Sequence, residues 1–133
     1  MSVEKIRQSM ENLGRALDRL GDALRAERSE LTVDATIQRF EFCVELFWKT
    51  LRRQLEYEGV ESRSPREALK HAYPQRWLRA ETVWLDMLDD RNRTSHLYDQ
   101  QMAEEIYQHI ITYYDELAFT YAFLRDRFSD LLR

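Results

Sequence analysis

The chain has 133 residues, which suits one domain and leaves no room for a second hydrophobic core. With 44% hydrophobic residues and only three Gly and two Pro, it is typical of a folded helical protein rather than a disordered or all-β one. The formal net charge of −4 argues against a general affinity for DNA or anionic membranes, so any contact with phosphate must be local.

Two long helices are predicted in the N-terminal part of the chain. Apolar residues recur at spacings of three and four and predict a first helix from about Val3 to Arg25, in which Gly14 and Gly21 could permit close approach of a neighbour. Thr32 is the predicted N-cap of a second helix that ends before Gly59. The apolar face of this second helix is broad, which indicates contact with more than one other element.

A short helix and a fourth helix are predicted next. The segment Ser64-Pro65-Arg66-Glu67 has the pattern of a capping box with Pro at the first helical position, and it predicts a short helix through about Tyr73. Pro74 ends that helix, and apolar spacing then predicts a fourth helix from Trp77 through Leu88.

The apolar stripe stops after Leu88, so residues 89–95 are predicted to form a turn. Asp99 is the predicted N-cap of a last, long helix that reaches almost to the C-terminus. No stretch alternates at period two, so we expect one all-α domain over residues 1–133, an up-and-down bundle of four main helices plus a short one. The broad apolar faces leave a monomer and a dimer equally open.

Several classes of site are absent from the sequence. The three glycines are isolated, so no phosphate-binding loop is formed, and the three histidines His71, His96 and His109 have no metal-ligand spacing. The single cysteine, Cys43, excludes an internal disulfide and a Cys-based zinc site. We therefore expect no cofactor and no metal.

The expected compartment is the cytoplasm. A lone cysteine suits a reducing environment, and the first residues lack a secretory signal pattern. No apolar stretch approaches the roughly 20 residues needed to cross a bilayer. Contact with a membrane is therefore not expected.

The densest run of polar and titratable residues is 89–98, at the predicted turn before the last helix. Arg91 and His96 are five positions apart and would point about 140° apart on a continuous helix, so they can converge only if the helix ends between them. If they converge, Arg91 and Asn92 could stabilise charge on a phosphate while His96 moves protons near neutral pH, a combination suited to RNA cleavage. The alternative is a capped turn in which Arg91 pairs with Asp86 or a neighbouring acid, Ser95 and Asn92 bond the backbone, and His96 is half exposed.

Other polar residues have simpler interpretations. Glu45 and Lys49 are four apart in the favourable order for a helix ion pair, although a partner-facing role stays open. Cys43 is interpreted as a small buried residue, and His71 and His109 as incidental helix residues.

Residues 91–98, Arg-Asn-Arg-Thr-Ser-His-Leu-Tyr, resemble the motif Arg, four residues, His, one residue, Tyr of HEPN proteins encoded beside minimal nucleotidyltransferases. The likeness extends to residues 40–51, to Ser64–Ala68 and to Trp84–Asp90. Together these segments are similar to the nucleotidyltransferase substrate-binding protein family. Its HepT-like members are toxins of toxin–antitoxin pairs.

The resemblance implies a helical bundle that forms a homodimer, places two motif copies in one cleft and binds a minimal nucleotidyltransferase as a hetero-tetramer. It implies a metal-independent endoribonuclease in which Arg91 and His96 are catalytic, Asn92 assists, and AMP transfer to Tyr98 silences the toxin. Supporting or partner-facing positions would include Glu45, Trp48, Lys49 and Ser95. The alternative that the family offers is a non-catalytic subunit that binds substrate for the nucleotidyltransferase.

Overall fold

The computed structural model describes residues 3–96 and 99–131, and within these ranges the secondary structure is entirely helical. The elements are α1 (Val3–Arg25), α2 (Glu30–Tyr57), α3 (Pro65–Ala72), α4 (Glu81–Arg93), a 3₁₀ turn (Thr94–His96) and α5 (Gln100–Arg127). The all-α fold class is therefore confirmed, with four longer helices and one short one.

Helix α2 is the central element of the core. It packs against α1, α3, α4 and α5, which confirms that its broad apolar face serves more than one neighbour. Aromatic pairs mark two of these contacts: Phe47 meets Trp84 of α4 edge-on at 4.9 Å between ring centroids, and Phe40 stacks on Tyr113 of α5 at 5.8 Å. The core thus fixes α4 and α5 on the same central helix.

The two glycines of α1 lie where α5 approaches most closely. A Cβ atom added at Gly14 would stand 2.6 Å from the Tyr121 hydroxyl, and one added at Gly21 would stand 2.5 Å from the Tyr114 hydroxyl. Real carbon–oxygen contacts are longer, so a larger residue would have to displace these tyrosines. The predicted close approach at Gly14 and Gly21 is confirmed.

The start of α2 differs from the prediction. The N-cap is Ser29, whose Oγ accepts a hydrogen bond from the backbone N–H of Thr32, while the Thr32 hydroxyl oxygen accepts one from the Ser29 N–H in return. Thr32 is therefore the third helical residue of a capping box and not the cap itself. Both residues are good caps, and the sequence pattern favoured the one nearer the apolar stripe.

The fourth helix begins and ends later than predicted. It starts at Glu81, because Ala80, the residue before it, has an extended backbone (φ −144°, ψ 110°) that a helix cannot contain. Trp77 is buried in the connection before α4 and packs edge-on against Phe128, at 5.3 Å between ring centroids. The apolar spacing that predicted a helix from Trp77 therefore included a buried residue that belongs to a loop.

The same helix continues through Arg93, so the prediction of a turn beginning at Asp89 is wrong. The face of α4 that enters the core carries Asp90 and then Thr94 where an apolar stripe would carry Leu or Val, and both residues are buried. A prediction based on the spacing of apolar residues does not recognise a core position that is filled by a buried, hydrogen-bonded polar residue.

Candidate functional site at the end of helix α4

Arg91 lies in the last turn of α4 and contacts the central helix. Its Nη2 donates to Oε2 of Glu45 at 3.0 Å, and the two side chains are about one-third exposed, at 34% and 33%. Lys49 Nζ lies 3.7 Å from the other oxygen of Glu45. The predicted helix pair of Glu45 and Lys49 is thus confirmed, and the fold adds Arg91 to it from a position 46 residues away.

The helix ends between Arg91 and His96, as convergence of these residues requires. After Arg93 the chain tightens into a 3₁₀ turn, where the Thr94 hydroxyl donates to the Arg91 carbonyl at 2.6 Å and the Ser95 hydroxyl donates to the Asn92 carbonyl at 2.9 Å. These bonds satisfy carbonyls that lose their helical partners at a helix end. Ser95 therefore holds the turn, as the capped-turn alternative expected.

His96 is exposed on this turn, and Asn92 is exposed in the last turn of α4. Within residues 3–96 and 99–131, neither side chain has a hydrogen-bond partner, and the His96 ring is not in hydrogen-bond contact with Arg91. Both side chains are therefore open to a ligand. Tyr98, the predicted modification site, lies outside the described residues.

A shallow hollow adjoins Arg91. It has a volume of about 230 Å³ and is lined by Gln38, Glu41, Phe42, Glu45 and Arg91. Phe42 is 60% exposed, which is unusual for a large aromatic residue. The hollow brings the cationic end of α4 beside an open aromatic face of α2.

A buried carboxylate next to Arg91 was missed from the sequence. The Asp90 side chain is 6% exposed and accepts hydrogen bonds from the Tyr113 hydroxyl at 2.6 Å and from Arg93 Nη1 at 3.2 Å. Its second contact with α5 is His109 Nδ1, at 2.8 Å. The interpretation of His109 as an incidental helix residue is wrong, because its ring contacts Asp90. The contact could not be predicted from the sequence, since Asp90 lies 19 positions earlier in the chain.

This Asp90 network fastens the end of α4 to α5. Burial and the hydrogen bond to Asp90 raise the pKa of Tyr113 well above the usual range of a phenol, so Tyr113 stays a neutral donor. A carboxylate that accepts several hydrogen bonds is well suited to hold a helix end in one place. The network thereby limits the positions available to Arg91, the next residue along the chain.

The remaining candidates lie away from this contact. Cys43 is fully buried, and burial raises the pKa of its thiol to about 12, so it is inert as expected. Trp48 is partly buried against the core, with the Arg52 guanidinium 5.3 Å from its ring. His71 Nδ1 lies 2.8 Å from the Ser62 hydroxyl, so this histidine closes a local contact in the α3 region.

Two kinds of feature are absent from the described part of the chain. No group of three or more His, Cys, Asp or Glu side chains there lies close enough together to hold a metal ion. None of the described helices combines the length and apolarity that crossing a bilayer requires.

Three comparisons relate the chain to known proteins. The sequence profile of the family described as "nucleotidyltransferase substrate binding protein like" matches residues 5–126. A protein described as "probable ribonuclease HepT", from Haemophilus influenzae, is 31% identical over 100 residues, which is 71% of this chain and 68% of that protein.

The fold has a counterpart among solved structures. A crystal structure of a protein from Thermus thermophilus superposes with a TM-score of 0.79 at 34% identity, covering 85% of this chain and 98% of that one. The similarity therefore extends over nearly all of the helical bundle.

Proposed function

Because the chain belongs to the nucleotidyltransferase substrate binding protein like family, we propose that it is a HEPN toxin that cleaves RNA at the end of α4. The observation that carries this proposal is the placement of Arg91. Its guanidinium is fixed by Glu45 at 3.0 Å, and the α-helix ends two residues later in a turn that exposes His96. The similarity to a protein named as a probable ribonuclease supports the same activity.

The proposed reaction uses the 2′-hydroxyl of the RNA as nucleophile. His96 accepts its proton, the 2′-oxygen bonds to the adjacent phosphorus, and the bond from phosphorus to the 5′-oxygen breaks as a water molecule gives that oxygen a proton; the protonated His96 then returns its proton to the solvent. Arg91 and Asn92 donate to the phosphoryl oxygens, on which negative charge builds. The nucleophile belongs to the substrate, so side chains alone suffice to activate it.

Glu45 orients Arg91 in this proposal. An arginine carries five N–H donors, and the bond to Glu45 occupies one face of the fork, so other donors are left for a phosphate. Lys49 offsets part of the negative charge of Glu45 that would otherwise repel the RNA. The ion pair with Glu45 thus fixes the orientation of the Arg91 guanidinium and leaves that group able to bind an anion.

RNA cleavage in the absence of metal tests this function. The purified full-length chain, in buffer containing EDTA, is expected to cut single-stranded RNA and leave 2′,3′-cyclic phosphate ends, because the 2′-oxygen attacks its own phosphate. A DNA oligonucleotide of the same sequence, which lacks that hydroxyl, is expected to stay intact and serves as the control. Products with a 3′-hydroxyl and a 5′-phosphate at the new ends, or cleavage of both polymers, would contradict the mechanism.

We also propose that a minimal nucleotidyltransferase silences the toxin by transferring AMP to Tyr98. Tyr98 lies two residues after His96, and a bulky anion attached there would crowd the site and repel RNA phosphates. Incubation with the nucleotidyltransferase and ATP is expected to raise the mass of the chain by AMP increments, and Tyr98→Phe is expected to prevent it. An unchanged mass of the unsubstituted chain would exclude this form of silencing.

A non-catalytic substrate-binding subunit is the second candidate. It is favoured by the ion pair of Arg91 with Glu45, which offsets part of the charge that a transition state would need, and by the net charge of −4. In that case the chain would bind RNA, or another substrate of the nucleotidyltransferase, without cutting it.

The assembly that we propose contains two copies of this chain and two of the nucleotidyltransferase, in the cytoplasm. Large apolar side chains stay exposed on α2 and α5, namely Leu31, Phe42, Tyr57, Ile111 and Phe119. Such residues are favourable to bury against a second protein.

A further inference from the structure

A second concave surface lies between α1 and α2, next to the hollow at Arg91. It is a groove of about 450 Å³, and the residues that give it its character are Asn12, Arg15, Arg19, Gln38, Arg39 and Phe42. Three of the nine residues that line the groove are arginines, and the others include Ala16, Ala35 and Leu46. The groove is thus a local concentration of cationic side chains on a chain whose net charge is −4.

The arginines of the groove differ from most others in the chain because they do not pair with carboxylates. Arg15 donates to the amide oxygen of Asn12, and Arg39 Nη1 donates to the backbone carbonyl of Arg19 at 2.7 Å. Among the described residues no Asp or Glu forms an ion pair with any of the three. By contrast, Arg7 and Arg25 on the same helix α1 each pair with an acid three residues before them. The groove is therefore a local site of positive charge that intramolecular ion pairs leave uncompensated.

The groove continues into the hollow at Arg91. Both surfaces are lined by Gln38 and Phe42, so the exposed aromatic ring stands where they meet. Glu41 and Glu45 lie on the side toward Arg91, whereas the three arginines lie on the side toward α1. An extended ligand that enters at α1 would pass the aromatic ring before it reaches the end of α4.

We propose that this groove binds the sugar-phosphate backbone of single-stranded RNA, with a base stacked on Phe42, and leads the strand to Arg91. The inference rests on the proposed function for its choice of ligand. Guanidinium groups bind phosphates through paired hydrogen bonds, and an exposed aromatic ring accepts any base, so the combination suits a strand of varied sequence.

A second copy of this chain fits the groove less well. Docking groove to groove would bring two clusters of three arginines together and remove their guanidinium groups from water, at a considerable electrostatic cost. An apolar peptide would leave the same three cations without an anion. A polyanion neutralises all three and releases counterions.

Fluorescence anisotropy with a labelled 12-nucleotide RNA of mixed sequence tests the proposal. The full-length chain would carry His96→Ala throughout, so that binding is measured without cleavage. The test variant adds Arg15→Gln and Arg19→Gln, and Arg39 is kept because it bonds the backbone of α1. The control adds Arg63→Gln and Arg125→Gln, two exposed surface arginines with the same change in charge.

The test variant is expected to bind RNA at least about tenfold more weakly than the parent, because two charge-assisted contacts are lost. The slope of log affinity against log salt should fall by about 1.4, since a single strand contributes about 0.7 per phosphate contact. Phe42→Ala is expected to weaken binding about fivefold or more through lost stacking. The control should stay within about twofold of the parent.

Equal losses in the test and control variants would overturn the proposal, because binding would then follow net charge alone. Sedimentation velocity of the same variants gives their oligomeric state. If the test variant binds RNA as tightly as the parent but sediments as a smaller species, the proposal is overturned and the groove is assigned to self-association. The proposed nuclease activity is judged separately, on the chain with His96 intact. If that chain fails to cut RNA but the binding results hold, the groove stands and the cleavage proposal falls.

Discussion

Replacement of His96 with alanine is expected to lower the rate of RNA cleavage by about 10²–10⁴-fold, the usual contribution of a general acid or base. The residue is exposed on the 3₁₀ turn and has no hydrogen-bond partner among the described residues. Its removal should therefore leave stability within about 0.5 kcal/mol of the unsubstituted protein. Cleavage rates at saturating RNA and thermal unfolding followed by circular dichroism measure the two quantities.

A histidine elsewhere provides the matched control. His71 is half-buried on α3 and contacts Ser62, so His71→Gln keeps a polar group there and should leave the cleavage rate within about twofold. Arg91→Ala is also expected to reduce the cleavage rate, but for a different reason: it removes the cation that holds the phosphate. Unaltered cleavage in His96→Ala, with the fold intact, would remove His96 from the mechanism, whereas failure of the unsubstituted chain to cut RNA would favour the substrate-binding alternative.

Replacement of Asp90 with alanine is expected to lower the free energy of unfolding by about 2–3 kcal/mol. The change leaves the hydroxyl of Tyr113 buried without its acceptor and unties the end of α4 from α5. Arg93 and His109 are partly exposed and can be solvated by water, so the expected loss stays below that of a fully buried ion pair. Urea denaturation gives the value.

Asp89 provides an adjacent control for this prediction. Its side chain is 60% exposed and pairs with Arg66 at 3.3 Å on the surface, so Asp89→Ala should cost less than about 1 kcal/mol. Tyr113→Phe, which removes one bond and no charge, is expected to fall between the two, at about 1 kcal/mol. A loss in Asp89→Ala as large as that in Asp90→Ala would show that the buried network adds no stability.

Much of the fold followed from patterns that are local in the sequence. Helix α1 was predicted with the bounds observed, because apolar residues at spacings of three and four lie on one face and must be buried. The caps at Ser64 and Asp99 were also predicted, since a side-chain oxygen can accept a backbone N–H only three residues away. These features depend on neighbours within one or two turns.

The candidate site was predicted in part. The dense run from Arg91 to His96 indicated where to look, and the end of the α-helix between these two residues agrees with what their convergence required. That α4 would continue through Arg93 was not foreseen, because its last buried positions are polar. The catalytic roles of Arg91, Asn92 and His96 stay proposals.

What the sequence by itself determined is the helical class, the places where most helices begin, and the segment in which the proposed chemistry is placed. Only the tertiary structure decided that Glu45 holds Arg91, that Asp90 joins Tyr113 and His109, and that the arginines of α1 and α2 share one groove. The physical reason is the separation along the chain over which each interaction acts. Helix propensity and capping act between residues a few positions apart, whereas these contacts join residues 19 to 46 positions apart that only the packing of helices brings together.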